Sequence, residues 1–339
     1  MTMQFRRPLK TVLLEMSIVF LAIGAVEPSV VFSQKPQVAR KPARAHGKSR
    51  KLRIPNAPKV PGILQLNLRR RVVSSSKGRP EHVRPVNKKV FWQASRTAII
   101  ICDMWDDHYC KSSAQRVDAM VPKMNRVITA ARNHGVMIIH APSGTMKFYE
   151  ATPYRKRMQQ AREFKPPVPL KRWCYLDLKK EHRLPIDDAK SPCDDPQVGP
   201  RVRKYSRQHA GLKIIGYDGI SDSGEEIYNY LRQEGITNVA IMGVHTNKCV
   251  LGRPFGIRQL VMLGLNVVLV RDLTDAMYDP RCYPYVSHTR GTELVVEHIE
   301  RFWCPSISSR DLTRIVPGSA DADPERLKSR GPRESATSR

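Results

Sequence analysis

Two polar residues that each follow a predicted strand could carry out chemistry together. Asp103 ends the apolar segment TAIIICD (97–103), and Cys249 follows the segment NVAIMGVHTNK (238–248). A cysteine that attacks a carbonyl carbon needs a base for its proton, a nearby cation, and N–H donors for the resulting oxyanion. Asp103 could be that base, and the loop before Cys249 could present the donors. The alternative is that Cys249 is only a small buried apolar side chain.

The sequence around these two residues alternates between strand and helix patterns. Repeated strand–helix units predict an α/β fold in three layers, with helices on both faces of a central, mostly parallel sheet of about six strands. Because parallel strands end at one edge of the sheet, we expect Asp103 and Cys249 to face one crevice. The strand patterns cover residues 97–103, 136–143, 238–244 and 266–272, and the helical patterns cover residues 113–135, 223–235, 250–264 and 291–303.

The first residues of the chain predict export. Arg6 and Arg7 precede the apolar run TVLLEMSIVFLAIGAV (11–26), and Ser33 is a small residue suited to a cleavage site. This pattern is typical of a secretory signal peptide, so we assign residues 1–33 to one and expect a periplasmic or secreted protein. An uncleaved membrane anchor is the alternative, although the run is shorter than the ~20 apolar residues of a membrane span.

The positive charge of the chain is concentrated near its start. The formal net charge is +27, and residues 1–98 alone hold 21 Lys or Arg against three Glu. Residues 34–60 contain almost no large apolar side chains, which predicts a disordered, basic, Pro-rich linker. This linker could contact polyanions such as an acidic envelope polymer or a membrane surface. No aromatic-rich surface accompanies the charge, so we expect no specific nucleic-acid recognition.

The remaining sequence divides into an extension, a main domain and a tail. Residues 61–96 contain two strand-like segments, 63–73 and 88–93, that predict a peripheral ribbon. We assign residues 97–310 to the main domain and residues 311–339 to a disordered tail. Within the main domain, residues 150–205 are charged and rich in proline, which predicts an insertion that serves as a lid or as an interface arm.

Two segments of this chain resemble one protein family. TAIIICDMW (97–105) and GITNVAIMGVHTNKCV (235–250) are similar to the isochorismatase-like cysteine hydrolase superfamily, which includes nicotinamidases and several amide and carbamoyl hydrolases. The resemblance covers residues 97 to 304. It implies that Asp103 is the general base and Cys249 the nucleophile. It also implies a cis peptide bond between Val244 and His245, which would aim N–H groups of the Cys249 loop into an oxyanion hole.

The family's third catalytic residue is a lysine, and its place in this chain is open. Arg207 lies 42 positions before Cys249, close to the family's spacing, and is our first candidate, with Lys204 in the same window. Lys213 is the second candidate, because a loop of variable length precedes it. An arginine here could stabilise a thiolate and an oxyanion, but it could not exchange a proton.

Other polar and aromatic residues suggest a substrate pocket without a metal. Trp105, His108 and His140 lie at or near predicted strand ends and are candidate substrate-binding residues. Nicotinamidases in the family carry an Asp-x-His pair after the second strand, whereas this strand continues as IIHAPSGTM (138–146). We therefore expect no metal and no cofactor, and a reaction other than that of a typical nicotinamidase. The alternative is that His108 and His140 contribute metal ligands, although scattered histidines are more often structural or substrate-positioning groups.

The seven cysteines include no CxxC pair, which argues against a zinc ribbon. In an exported protein Cys174 and Cys193 could form a disulfide across the insertion. Cys102 lies inside a predicted buried strand and is expected to pack in the core.

These observations favour a hydrolase that cleaves a non-peptide C–N bond, in an amide or carbamoyl group, of a small carbonyl compound. We expect a homo-oligomer, because family members often complete their pockets across subunits. The alternative is a catalytically silent relative that serves as an exported binding or scaffold module, tethered to polyanions by its basic N-terminus.

Overall fold

The computed structural model describes residues 62–74, 82–188 and 192–316. The predicted signal peptide (1–33) and basic linker (34–60) lie outside the described residues. In the part of the chain that is described, no helix is both long enough and apolar enough to cross a membrane.

The described residues form nine strands and seven α-helices around one sheet. The strands are β1 (Ile63–Ser74), β2 (His82–Gln93), β3 (Thr97–Cys102), β4 (Met137–Ala141), β5 (Gly219–Ile220), β6 (Asn238–Val244), β7 (Asn266–Asp275), β8 (Ser306–Ile307) and β9 (Ile315–Val316). The helices are α1 (Lys111–Asn133), α2 (Met146–Tyr149), α3 (Pro153–Gln159), α4 (Gly224–Gln233), α5 (Cys249–Gly252), α6 (Ile257–Met262) and α7 (His288–Phe302).

The centre of the sheet consists of six parallel strands in the order β8-β7-β6-β3-β4-β5. Successive residues of β3 point to opposite faces, so Ile100 packs in one apolar cluster and Ile101 in the other. Helices α4 to α7 cover the first face, and α1 covers the second. The predicted three-layer α/β fold with a mostly parallel sheet is thereby confirmed.

The ribbon predicted before the main domain continues this sheet. Strands β1 and β2 pair along their whole lengths as an antiparallel hairpin, and β1 also pairs with β8 and β9. Leu64 and Leu66 of β1 are fully buried against the α1 side of the sheet. The extension is therefore part of the main core.

The boundary that we predicted for the tail at residue 311 was too early. Asp311 is buried, and its carboxylate accepts hydrogen bonds from the main-chain and side-chain nitrogens of Asn67 at 3.1 and 3.0 Å. Leu312 is fully buried in the α1-side cluster. The described fold therefore continues to Val316, where β9 ends.

The insertion, described over residues 150–188 and 192–205, contains α3 and otherwise irregular backbone. It is fixed to the main domain by the buried carboxylate of Glu181. This carboxylate accepts hydrogen bonds from His298 Nε2 and Trp303 Nε1, both at 2.8 Å, and forms an ion pair with Arg258 at 2.6 Å. All three partners belong to α6 or to α7 and the residue that follows it, so the insertion is bonded to the helical layer.

The helix predicted over residues 250–264 is interrupted. It forms α5 and α6, with Arg253 and Pro254 between them. A proline disfavours helical geometry in the residue before it, and Arg253 accordingly has extended backbone angles, with φ −60° and ψ 158°. This break directs Arg253 away from the helix.

Candidate active site

Asp103 and Cys249 are placed at one edge of the sheet by two neighbouring strands. Strand β3 ends immediately before Asp103, and β6 leads into the loop that ends at Cys249, the first residue of α5. At the last paired position Gly243 lies against Cys102, and a Cβ on Gly243 would sit 2.1 Å from the Cys102 carbonyl oxygen. Only glycine allows this approach, which brings the two strand ends together.

Asp103 is held in an unusual backbone conformation and is fully buried. Its φ of +47° lies in the left-handed region, which costs a non-glycine residue on the order of 1 kcal/mol. Hydrogen bonds at the end of β4 offset this cost: the Asp103 N–H donates to Ala141, and the Ser143 N–H donates to Asp103 Oδ1 at 2.8 Å. These bonds fix the direction of the carboxylate.

The second oxygen of this carboxylate forms an ion pair with Arg253. Arg253 Nε donates to Asp103 Oδ2 at 3.0 Å, and the guanidinium lies over the ring of Trp173 at 5.5 Å. A buried carboxylate without a cation would be strongly destabilised as an anion. Arg253 therefore supplies the positive charge that this site requires.

The thiol of Cys249 adjoins the same carboxylate and is 8% exposed. Burial raises its pKa well above the ordinary value, and the negative charge of Asp103 raises it further. The Arg253 guanidinium and the His245 backbone N–H lower the pKa, but they do not outweigh those effects. The resting site thus holds a protonated thiol beside a carboxylate that can accept its proton.

The loop before Cys249 is held by hydrogen bonds and leads to a backbone N–H that has no acceptor within α5. The peptide bond between Val244 and His245 is cis. The Thr246 N–H donates to the Asp275 carbonyl at 2.8 Å, and the Asn247 side chain exchanges two hydrogen bonds with the backbone of Met277. Cys249 opens α5, so its own N–H has no acceptor within the helix.

Aromatic side chains form the walls near the thiol. Trp105 stacks on Tyr205 with ring centroids 4.2 Å apart, and its Nε1 donates to the Ser143 carbonyl. Tyr205 lies within electrostatic range of Asp103, Arg253 and Cys249, and burial raises its pKa. Trp173 packs on Gly252, where a Cβ would lie 2.6 Å from the indole ring. Two of these three rings come from the insertion.

A comparison of the sequence with known families decides the assignment. The profile of the isochorismatase domain matches residues 97–281, more than half of the chain. The chain belongs to the isochorismatase family. The members of this family are hydrolases, and the resemblance noted from the sequence is confirmed. No curated protein matches the chain.

Several solved structures are also similar to this isochorismatase-family chain. A cysteine hydrolase from Pseudomonas syringae pv. phaseolicola 1448A has 18% identity and a TM-score of 0.40, over 66% of this chain and 93% of its own. An isochorismatase family protein from Burkholderia thailandensis has 16% identity and a TM-score of 0.38, over 64% and 93%. An isochorismatase from Pseudomonas putida KT2440 has 14% identity and a TM-score of 0.38, over 65% and 91%.

The two cations predicted from the family's spacing lie away from the Asp103 carboxylate. Arg207 Nε is 3.9 Å from Asp106 Oδ2, and its guanidinium covers the ring of Phe148. The N–H groups of Ser206 and Arg207 also donate to Asp106, which holds this segment there. Lys213 is exposed, as is Lys204. The expectation that Arg207 or Lys213 adjoins Asp103 was wrong, and Arg253 holds that position.

Of the predicted substrate-binding residues, Trp105 and His108 lie at the site and His140 does not. His108 packs between Trp105 and His245, with centroid distances of 6.1 and 5.1 Å. Burial lowers the pKa of His108, and it lowers that of His245 to about 3. His140 is fully buried, and its two ring nitrogens contact Gln208 and Asp218, so the structure gives it a structural position.

The cysteine pairing also differs from the prediction. Cys193 forms a disulfide with Cys110, the residue before α1, and Cys174 is a buried free thiol. Cys102 is fully buried, as expected. Cys110, Cys193 and Asp195 are also the one group of three potential metal ligands among the described residues. The two sulfurs are bonded to each other, so they do not fit a metal site.

Proposed function

We propose that this chain is an exported cysteine hydrolase that cleaves the C–N bond of a small amide or carbamoyl compound. One observation carries the proposal: a single buried carboxylate, Asp103, contacts both the thiol of Cys249 and the guanidinium of Arg253. A protonated thiol next to a charged, oriented carboxylate is suited to proton transfer during attack, because the base is already within reach.

The first half of the reaction follows from these positions. Asp103 takes the thiol proton while Cys249 Sγ attacks the carbonyl carbon, and the carbonyl oxygen becomes an oxyanion. Backbone N–H groups of the 245–249 loop, including that of Cys249, donate to the oxyanion. The protonated Asp103 then gives its proton to the leaving nitrogen, the C–N bond breaks, and a thioester remains on Cys249.

The second half uses the same residues in reverse. Asp103 removes a proton from a water molecule, whose oxygen attacks the thioester carbonyl. The C–S bond breaks, the acid product leaves, and Asp103 returns the proton to the Cys249 sulfur. Arg253 keeps its charge throughout, because an arginine does not release a proton at accessible pH. Its role in the proposal is to hold Asp103 in place and to balance the negative charge that moves between carboxylate, sulfur and substrate.

The aromatic walls favour a flat substrate. Trp105 and Tyr205 present stacked rings, and Trp173 supports Arg253. Trp105 and Tyr205 are in direct contact and leave no room between them, but amide and carbamoyl groups are planar and can lie flat against an aromatic face. The walls come largely from the insertion, which supports the proposal that this segment selects the substrate.

The test is a screen of small amides and carbamoyl compounds for release of ammonia or amine. We expect Cys249→Ala and Asp103→Asn to lower kcat by at least ~100-fold relative to the parent. Cys174→Ser is the matched control, since this thiol contacts Gln259 and should leave kcat unchanged. Full activity of Cys249→Ala would overturn the proposal. Tight binding of a carbonyl compound without turnover by the parent would favour the silent binding module instead.

Export is a separate part of the proposal. The Cys110–Cys193 disulfide supports it, because disulfides persist mainly in oxidising compartments. N-terminal sequencing of the protein recovered from its native host should give a chain that begins at Gln34. A mature protein that retains Met1 in a reducing compartment would contradict this part alone.

A further inference from the structure

A groove of about 660 Å³ lies on the molecule between β1, β7, α1 and α7. Neither Cys249 nor Asp103 is among its lining residues. Its volume is within the range of small-molecule sites, about 300–1,000 Å³. Its lining holds four arginines from three elements, Arg69 and Arg71 from β1, Arg116 from α1 and Arg271 from β7. It also holds four carboxylates, those of Asp272, Asp275, Glu293 and Glu297.

Three of these arginines are neutralised by acidic partners. Arg69 Nε donates to the buried Glu300 carboxylate at 2.7 Å, and Arg71 lies 3.3 Å from the same carboxylate and 2.9 Å from Glu297. Arg116 forms ion pairs with two aspartates, both at 2.8 Å. These contacts give each guanidinium a structural role, although Arg69 uses only one of its five donors in them.

Arg271 has no such partner. Among the described residues no carboxylate oxygen lies within 4.0 Å of its guanidinium, and its hydrogen bond to Ser306 Oγ is long, at 3.3 Å. The pKa of Arg271 is lowered from its ordinary value, first by burial and next by the positive charge of Arg69. The charges of Asp272, Glu300 and Asp311 act in the opposite direction without outweighing these two effects. Arg271 and Arg69 therefore lie near each other in the groove, and within the described part of the chain only Arg69 of the two has a carboxylate in direct contact.

The sheet explains why this position is open. Strand β8 has only two residues, and its pairing with β7 ends at Val270 and Ile307. Strand β7 continues to Asp275 while it pairs on its other side with β6. Arg271 is the first residue of β7 beyond its pairing with β8, and it lines the groove where β7 has no neighbour on that side among the described strands.

We propose that this groove binds a small organic anion, through a carboxylate or phosphate group held by Arg271 and Arg69. Guanidinium groups match the planar oxygens of carboxylates and the oxygens of phosphates, and such charge-assisted hydrogen bonds are among the strong ones in proteins. Val296 and Met120 add apolar surface to the lining, which suits the carbon body of an organic anion. Cys249, Asp103 and Arg253 do not line the groove, although the backbone carbonyl of its lining residue Asp275 accepts a hydrogen bond from the Thr246 N–H of the loop before Cys249.

Titration calorimetry with inorganic phosphate and with citrate, at constant ionic strength, tests the proposal and distinguishes the two anionic groups. The parent should bind at least one of them, and Arg271→Gln should bind it at least about tenfold more weakly. Arg232→Gln, which removes an exposed arginine on α4, is the matched control and should bind like the parent. Cys249→Ala should also bind like the parent, because the groove does not include the thiol.

Thermal unfolding of the anion-free protein shows whether Arg271 serves anion binding or the stability of the fold. Since Arg271 lacks an acidic partner and lies near Arg69, Arg271→Gln should unfold at the same temperature as the parent or higher. Equal anion affinity of the parent and Arg271→Gln, or no binding of either anion by the parent, would overturn the proposal. A clear fall in the unfolding temperature of anion-free Arg271→Gln would also overturn it, because it would show that the side chain is needed for the fold.

Discussion

Arg253 Nε lies 3.0 Å from Asp103 Oδ2, although the two residues are 150 positions apart in the chain. Arg253 is also only four positions after Cys249, on the same short segment. The proposed nucleophile, Cys249, and the cation, Arg253, therefore lie on one segment. The proposed base, Asp103, contacts both from the end of the neighbouring strand β3. The family resemblance alone would have placed the cation on a different element, before β6.

Arg253 is the cation on which we expect activity to depend. Arg253→Gln should lower kcat/KM by about 100-fold, because Asp103 would lose its orientation and its charge partner. Arg253→Lys should retain part of the activity, since it keeps the charge without the planar donor geometry. Arg207→Gln and Lys213→Gln should stay within about threefold of the parent. Steady-state kinetics on the best substrate of the screen measure these effects.

A fall in activity of Arg253→Gln could also come from misfolding around a buried, uncompensated carboxylate. The double variant Arg253→Gln with Asp103→Asn removes both charges and should unfold at a temperature close to that of the parent while remaining inactive. If Arg207→Gln were inactive and Arg253→Gln normal, the assignment of the cation would be wrong.

Replacing Asp103 by Asn should make Cys249 more reactive towards an alkylating agent while it lowers the turnover of substrate. Burial and the Asp103 charge raise the thiol pKa, so alkylation of the parent by iodoacetamide near pH 7 should be slow. Asp103→Asn removes the negative charge and leaves Arg253 beside the sulfur, which lowers the thiol pKa. We therefore expect Asp103→Asn to be alkylated faster than the parent at pH 7, while it turns over less substrate. Peptide mass spectrometry of Cys249 measures the alkylation rates of the parent and of Asp103→Asn. Slower alkylation of Asp103→Asn would contradict the proposed effect of the Asp103 charge on the thiol pKa.

Much of the fold could be predicted from the sequence, because apolar residues recur at a regular spacing in strands and helices that have one buried side. The apolar runs 97–103 and 238–244 gave β3 and β6 within one residue, and hence the common edge of Asp103 and Cys249. The cation was missed because residues 250–264 were interpreted as one helix. Pro254 was the signal that could have found it, since a proline there ends α5 and leaves Arg253 extended.

The rest of the site depends on contacts between distant residues, which no repeating pattern in the sequence indicates. Tyr205 and Trp173 belong to an irregular insertion, so nothing in their spacing indicates that they approach Cys249. The disulfide partner of Cys193 is 83 positions away, and a sequence offers no measure of that distance in space. The predicted basic tether, polyanion contact and homo-oligomer stay predictions.

His288 should make stability depend on pH. Burial disfavours its charged form, but hydrogen bonds to Asp194 and Asp275 outweigh burial and raise the His288 pKa to about 9. A raised pKa in the folded state stabilises the fold below the unfolded-state pKa of ~6.5, and this contribution is lost as pH rises towards 9. Between these values the unfolding free energy of the parent should fall by roughly 2 kcal/mol more than that of His288→Gln, after allowance for solvent screening. Denaturant titrations at both pH values measure the difference, and parallel pH profiles of the two proteins would contradict it.

The Cys110–Cys193 disulfide should contribute to stability and to the shape of the site. It links the start of α1 to the part of the insertion that leads to Tyr205, across 83 positions. Paired replacement of both cysteines by serine should lower the unfolding free energy by about 2–4 kcal/mol. It should also raise KM more than it lowers kcat, because the aromatic wall loosens while the catalytic residues stay in place. Equal KM values would show that the disulfide does not position this wall.

The buried carboxylate of Glu181 limits how the insertion can move. Moving this segment outward would separate Glu181 from Arg258, His298 and Trp303 and leave the positive charge of Arg258 without its carboxylate partner. The insertion was predicted to be a lid or an interface arm, and both stay predictions. The Glu181 contacts oppose outward movement of the part of the insertion around Glu181. If the insertion were grafted onto a relative, we expect it to keep its conformation only if Arg258, His298 and Trp303 of the main domain were introduced as well.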